Sequence, residues 1–271
     1  MRIGFIGVGV QGGPMAEMIQ KAGHELHVWA RRPEAIAPYL ARGARAAADP
    51  RALGAAVELA GLCVVSDADV MQIAVEQGLL EALAPGSVLA IHATVRPATC
   101  RDLAARGARH GVHVIDAPVS GSGEAALARR LLVFAGGAPE AIERARPMLE
   151  CYGNPICVTG ASGSGQLAKL INNFLCISNM KLAHDALNLG ARFGLDRARL
   201  KEAIQAGSGA SFSMNSLDRL VNAATAKHVH MLFAKDVGLG REEAAAIGAD
   251  AGYLAELGDA FLNDLIDMAK G

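Results

Sequence analysis

The chain carries no surplus of charge of either sign, with 26 basic residues against 27 acidic ones. No basic block resembles a nucleic-acid footprint and no acidic tail is present, so a nucleic-acid partner is not expected. Cysteine is sparse. Cys63, Cys100, Cys151, Cys157 and Cys176 make an odd number without a single CxxC pair, the pattern of free thiols in a reducing compartment. No positively charged leader and no cleavage site precede the first apolar run, which argues against a signal peptide. No apolar stretch reaches the roughly 18 residues that a membrane span requires. These absences lead us to expect a soluble, cytoplasmic protein without a membrane partner. What the chain does have is apolar substance: 52% hydrophobic residues over a length of 271, enough for one large domain or two of ordinary size.

Residues 2–6 form a short apolar run that ends at a glycine. Helical spacing follows, with Met15, Met18 and Ile19 on one face, and a second strand is expected at 25–30. This is a strand–helix–strand unit of the size of a mononucleotide-binding half. Further strands are expected at 62–65, 87–91, 112–115 and 131–135, with alanine-rich helices between them. Such alternation predicts an α/β fold with a parallel, doubly wound sheet of the Rossmann type. After about residue 160 strand-like runs disappear. One long helix is expected at 165–194, others near 196–206 and 213–223, and a helical stretch at 229–270 with breaks at Gly248, Gly252 and Gly258. The expected division is a dinucleotide-binding domain over 1–160 and an all-helical substrate and oligomerisation domain over 161–271, joined through the long helix.

The first turn reads Gly7, Val8, Gly9, Val10, Gln11, Gly12. In a dinucleotide fingerprint the first glycine permits a tight turn, the second lets the backbone approach a pyrophosphate, and the third lets helix and strand pack closely. The helix start then offers free N–H groups and a positive dipole end to the anion. An NAD enzyme usually places an acid at the end of the second strand. Here Arg31 and Arg32 stand there and the nearest acid is Glu34. Guanidinium groups grip phosphate in bidentate fashion, so NADP is favoured, with NAD possible if the arginines are merely solvated.

Lys169 and Asn173 stand four apart in the expected long helix, hence on one face. Serine and glycine at 162–165 suit a helix start. Most helix lysines are solvated, but Leu167, Ala168, Leu170 and Ile171 surround this one. Partial burial would bring an ammonium group from about 10.4 toward neutrality. It could then exchange a proton with an alcohol or carbonyl oxygen. The histidines of the first half read as surface or structural groups, and His184–Asp185 as a structural contact. No metal-ligand spacing is present.

Five ordered segments make the chain resemble the β-hydroxyacid dehydrogenase family, which includes 3-hydroxyisobutyrate dehydrogenase, tartronate semialdehyde reductase and the succinic semialdehyde and glyoxylate reductases. They are the opening GFIGVGVQGG, HATVRP at 92–97, DAPVSGSGEAA at 116–126, GSGQLAKLINN at 163–173 and FAKDVGL at 233–239. The resemblance implies a helical C-terminal domain like that of 6-phosphogluconate dehydrogenase. It implies a substrate role for Ser120, Gly121, the neighbouring Ser122 and Asn173, with Lys169 and Asn173 as the catalytic pair. It implies a cofactor role for Thr94 and Lys235, and pairing into a homodimer or homotetramer through the helical half. Helices with apolar faces on more than one side also need a partner to cover them.

The departures are Ser122 where the family has glycine, Arg129 and Arg130 where it has glycine–threonine, Ala30 where it has asparagine, and His228 where an aromatic is usual. The expected reaction is hydride transfer between a nicotinamide and a small 3-hydroxy acid or its semialdehyde. Two alternatives are an imine reductase, a group that usually lacks the lysine, and a non-catalytic NADP-binding sensor or scaffold.

Overall fold

The computed structural model describes residues 1–270. They form two compact units, Met1–Lys169 and a second that starts at Leu170. In the first, β1 (Arg2–Ile6) leads through the glycine turn into α1 (Gly12–Lys21) and β2 (Glu25–Trp29). A 3₁₀ turn at Pro33–Ile36 and α2 (Ala37–Leu40) precede β3 (Arg45–Ala46), α3 (Pro50–Ala56) and β4 (Leu59–Leu62). Next come α4 (Asp67–Met71), which runs into a π turn at Gln72–Glu76, then α5 (Leu79–Ala82), β5 (Val88–Ile91), α6 (Pro97–Ala108) and β6 (His113–Asp116). The unit continues with β7 (Val119–Ser120), α7 (Gly123–Leu127), β8 (Leu131–Gly136), α8 (Pro139–Leu149) and β9 (Gly153–Gly160). In the second unit α9 (Ser164–Arg192), whose first turns belong to the first unit, is followed by α10 (Arg197–Ala206), α11 (Phe212–Leu220), α12 (Ala226–Ala246) and α13 (Gly252–Met268).

The strands lie in the order β3-β2-β1-β4-β5-β6-β8-β7, with β9 beside β8. The first six of that order pair in parallel, whereas β8 runs antiparallel to β6 and β7. This is the doubly wound Rossmann sheet with a partly antiparallel edge. Its central strands are buried on both faces, as crossover helices require. Ile3, Phe5, Met15, Ile19 and Ile142 fill one side, while Ile6, Leu62, Leu89, Ile91 and Leu103 fill the other.

β4 ends at Leu62, three residues before the expected 62–65 strand does. Gly61 sits mid-strand because a Cβ there would press 2.7 Å from the Phe5 ring. After it the chain turns, and the Ser66 hydroxyl caps α4. In the second unit Phe174, Ile177, Met180, Ala183 and Leu187 of α9 recur every three or four residues and pack with Met214, Leu217, Val237, Phe261 and Leu265. The expected break at 248–252 is present, both glycines having positive φ. Gly258, however, lies inside α13, buried, where an added Cβ would meet Val237 at 3.4 Å.

His92 follows β5 and is 3% exposed. Its Nδ1 lies 2.7 Å from the Ala117 carbonyl and its Nε2 3.0 Å from the Tyr152 hydroxyl. A carbonyl only accepts, so Nδ1 carries the hydrogen and Tyr152 donates to Nε2. Burial pushes the His92 pKa down to about 4. The unfolded chain therefore binds its proton first, near 6.5, and stability from this group is present above that pH and lost as pH falls toward 4. Burial pushes Asp116 the opposite way, upward, which favours folding at low pH. We expect urea stability to fall by on the order of 2–3 kcal/mol between pH 7 and 4.5 through His92 alone. In His92→Gln that slope should flatten, with Asp116 acting equally in both proteins. Parallel pH–stability curves for the two would show that His92 does not titrate this way.

Candidate active site

The order of strands reverses between β1 and β4, and the loops after these two strands face each other there, the place where doubly wound folds bind ligands. Gly7 turns the chain with φ of 95°, and a Cβ on it would overlap the Cys63 carbonyl of the β4 loop. On Gly12 it would overlap the Gly7 carbonyl. Gly9 differs, since a Cβ there would meet nothing within 4 Å. The first and third glycines thus close the turn, and the second leaves open space in front of the backbone. Gln11 forms the N-cap of α1 without a side-chain cap bond, and no acid stands in the first helical turn. Val8 packs on the core and Val10 is 90% exposed. The N-terminus of α1 is therefore neutralised by no carboxylate of its own, and this cradle fits a pyrophosphate.

Arg31 follows β2 and is half-exposed. Its Nη2 donates to Asp69 Oδ1 of α4. Arg32, at the start of the 3₁₀ turn, has no acidic partner among the described residues. Thr94 follows β5, and Ser120 ends β7, just beyond β6. Ser120 is half-buried, and Gly121 takes φ of 125° with Leu131 and Ala125 where a Cβ would be. The Ser122 hydroxyl caps α7, accepting from Ala125 N at 3.4 Å. The fingerprint, Arg31 and Thr94 accordingly all lie on loops at the carboxyl edge of the parallel strands.

Lys169 is 8% exposed. The turn of α9 before it is held by two buried side chains. Asp116, fully buried at the end of β6, accepts from Gly163 N at 2.8 Å and from Gln166 N at 3.1 Å. Gln166, also fully buried, donates to Ala93 O at 2.9 Å and accepts from Val95 N at 3.1 Å. Gln166 thus clamps the residues on either side of Thr94 to the helix that carries Lys169. Neither Asp116 nor Gln166 was singled out by the sequence, although both stand inside quoted motifs.

In the second unit Asn173 donates from Nδ2 to Asp236 Oδ2 at 2.6 Å, and Lys235 Nζ lies 3.2 Å from Asp236 Oδ1. Asp236 is buried and orients the asparagine amide. The lysine–aspartate pair in FAKDVGL was its only signal, and the lysine alone was read from it. His228 is exposed on α12. Arg129 donates from its guanidinium to the Glu150 carbonyl at the end of α8. Its φ is 56°, the left-handed backbone that suits the glycine usual in the family. His184, Asp185 and Asp264 approach one another, but Lys181 Nζ sits 2.7 Å from Asp185 and 3.0 Å from Asp264, so an ammonium group already pairs with both carboxylates of that cluster.

Residues 2–163 match the model of the NAD-binding domain of 6-phosphogluconate dehydrogenase, and 163–263 match the NAD-binding segment of NADP-dependent 3-hydroxyisobutyrate dehydrogenase. A 3-hydroxyisobutyrate dehydrogenase of Pseudomonas aeruginosa is 36% identical over 215 residues, 79% of this chain and 72% of that protein. The chain belongs to the β-hydroxyacid dehydrogenase family. An NAD-dependent L-serine dehydrogenase of the same organism is 34% identical over 256 residues, 90% of this chain and 86% of that one. Among solved structures, Mycobacterium tuberculosis 3-hydroxyisobutyrate dehydrogenase with L-serine superposes with a TM-score of 0.85 at 25% identity, covering 99% of this chain and 94% of that one. The protein is an oxidoreductase that uses a nicotinamide cofactor. Among the described residues no helix is long and apolar enough to cross a membrane.

Gln166→Leu would leave the Ala93 carbonyl and the Val95 N–H buried and unpaired. Each such group costs about 1–3 kcal/mol, so we expect a loss of about 2–5 kcal/mol in urea unfolding. A loss near zero would mean that these groups find other partners.

Proposed function

We propose that the chain interconverts a small 3-hydroxy acid and its semialdehyde or keto form with NADP as the preferred cofactor, NAD being accepted. Lys169 serves as the general acid and base. The observation that carries the reading is a lysine only 8% exposed, one helical turn before an asparagine whose amide is oriented by a buried aspartate. Gly7, Val8, Gly9, Val10, Gln11 and Gly12 would hold the pyrophosphate, Arg31 and Arg32 the 2′-phosphate, and Thr94 and Lys235 the nicotinamide side. A bound nicotinamide would supply the hydride acceptor for oxidation at the carbinol carbon and the hydride donor for reduction at the carbonyl carbon. Lys169 Nζ takes the hydroxyl proton in oxidation and returns it to the same oxygen in reduction. Asn173, Ser120 and Gly121, with the neighbouring Ser122, hold the carboxylate and the reacting oxygen by polar contacts. Retention of Lys169 speaks against an imine reductase, and retention of both Lys169 and Asn173 against a non-catalytic scaffold.

Lys169→Ala should lower kcat by about 10²–10⁴-fold, the usual worth of a positioned acid–base group, on whichever of 3-hydroxyisobutyrate, L-serine and related hydroxy acids the native enzyme turns over. NADPH binding, followed by fluorescence, should persist. A folded variant that keeps most of its turnover would show that another group moves the proton.

The same reading includes a homodimer or homotetramer formed through the helical unit. On α9 and just past its end, the large apolar residues Ile171, Leu175, Leu182, Leu189 and Phe193 are each more than half exposed. At 100° per residue they fall within about 40° of one another, a continuous stripe along a helix of 29 residues. An apolar strip of this length calls for a covering surface, and a second copy supplies one. Light scattering at micromolar concentration should give at least a dimer, and Leu182→Glu with Leu189→Glu should dissociate it. A native monomer would refute the pairing.

A further inference from the structure

Arg31 does not face solvent alone. Its Nη2 donates to Asp69 Oδ1, and the geometry around Asp69 shows why that carboxylate stays in place. Its Oδ2 accepts from Ser66 N at 3.2 Å and from the Ser66 hydroxyl at 2.7 Å, closing the capping box of α4. Asp67, the other acid of that turn, is engaged elsewhere, accepting from Arg96 N at 2.9 Å and from the Thr99 hydroxyl at 2.5 Å. Asp69 is therefore the acid that meets the arginine at the end of β2. It is partly exposed, and the pairing holds its carboxyl below the ordinary aspartate range, so it stays charged at neutral pH.

Resting on the NADP reading of Arg31, we propose that Asp69 is a specificity-determining residue that limits the preference for the 2′-phosphorylated cofactor by competing with that phosphate for the Arg31 guanidinium. A 2′-phosphate must either displace the carboxylate from Arg31 or sit beside it. Displacement forfeits a charge-assisted hydrogen bond. Co-occupancy places a dianion next to a fixed negative charge, whose repulsion is weakly screened at this range. A cofactor with a free 2′-hydroxyl meets neither cost, because it makes no demand on the guanidinium charge. Arg32, without an acidic partner among the described residues, keeps its full charge and is not moderated in this way. Arginine supplies the attraction for phosphate, and Asp69 sets how much of it is available.

The test is the dissociation constants of NADPH and NADH, measured by fluorescence of the reduced nicotinamide, for the native chain, Arg31→Ala, Asp69→Asn and Asp69→Gln. Asparagine keeps an acceptor for Ser66 N, and glutamine at this third helical position is itself a capping-box residue, so one of the two neutral variants retains the helix start. We expect NADPH to bind about three- to tenfold more tightly in the neutral variants, the scale of losing one nearby like charge in partial solvent, and NADH to change less than about twofold. Arg31→Ala should weaken NADPH alone. If Arg31→Ala weakens NADPH but the NADPH-to-NADH ratio is unmoved or falls in both Asp69 variants, the competition is overturned and the NADP reading stands. If Arg31→Ala leaves both cofactors unchanged, the NADP reading falls and the inference with it.

Discussion

The grip of one buried carboxylate on a helix start underlies the geometry of the candidate site. Asp116 is wholly removed from solvent, which disfavours its charged form, and it is compensated by the backbone N–H groups of Gly163 and Gln166. Those donors have no partner within their own helix, and the helix end adds a favourable dipole. The bargain requires small neighbours. A Cβ on Gly136 would overlap Asp116 Oδ2, and one on Gly165 would stand 2.7 Å from it. Glycine at both positions lets the end of β6, the end of β8 and the start of α9 meet around one carboxylate. The position of Lys169, little more than a turn later, follows from that contact.

Gln166 extends the same logic to the loop after β5. Its amide both donates and accepts, so one side chain satisfies a carbonyl and an N–H on either side of Thr94. Asp236 plays the corresponding part for Asn173 in the second unit. In each case a candidate site residue, or the backbone beside it, is held by a buried polar neighbour, whose own satisfaction makes it rigid. The nucleotide cradle depends on the opposite device, the lack of side chains. Gly7 and Gly12 permit backbone contacts that no other residue would allow, and Gly9 leaves space in front of the turn.

Periodicity and glycine punctuation made most of the architecture legible. Strands at β1, β2, β5, β6 and β8 and the long α9 lie within two or three residues of their expected places, since their apolar runs are bounded by clear turn signals. The failures share a cause. β4 lies ahead of the expected 62–65 run, with Gly61 against the Phe5 ring, a contact that cannot be seen along the chain. Gly258 resembles a break by residue type alone, yet it is buried inside α13, where tertiary packing carries the helix through it. β3, β7 and β9 carry too little apolar pattern to announce themselves, and their hydrogen bonds come from strands distant in sequence.

The sequence by itself determined the Rossmann class, the helical second half, the family and the spacing of Lys169 and Asn173 on one helical face. These depend on local periodicity, turn chemistry and motif order, all of which are written along the chain. Only the tertiary structure decided that Asp116 and Gln166 hold the lysine's helix, that Asp236 orients Asn173, that Arg129 caps α8, and that Asp69 neutralises Arg31. Each of these pairs joins residues from about 20 to more than 70 positions apart. A hydrogen bond or ion pair forms by distance and angle in space, and no local pattern encodes which distant partner the fold will bring within reach.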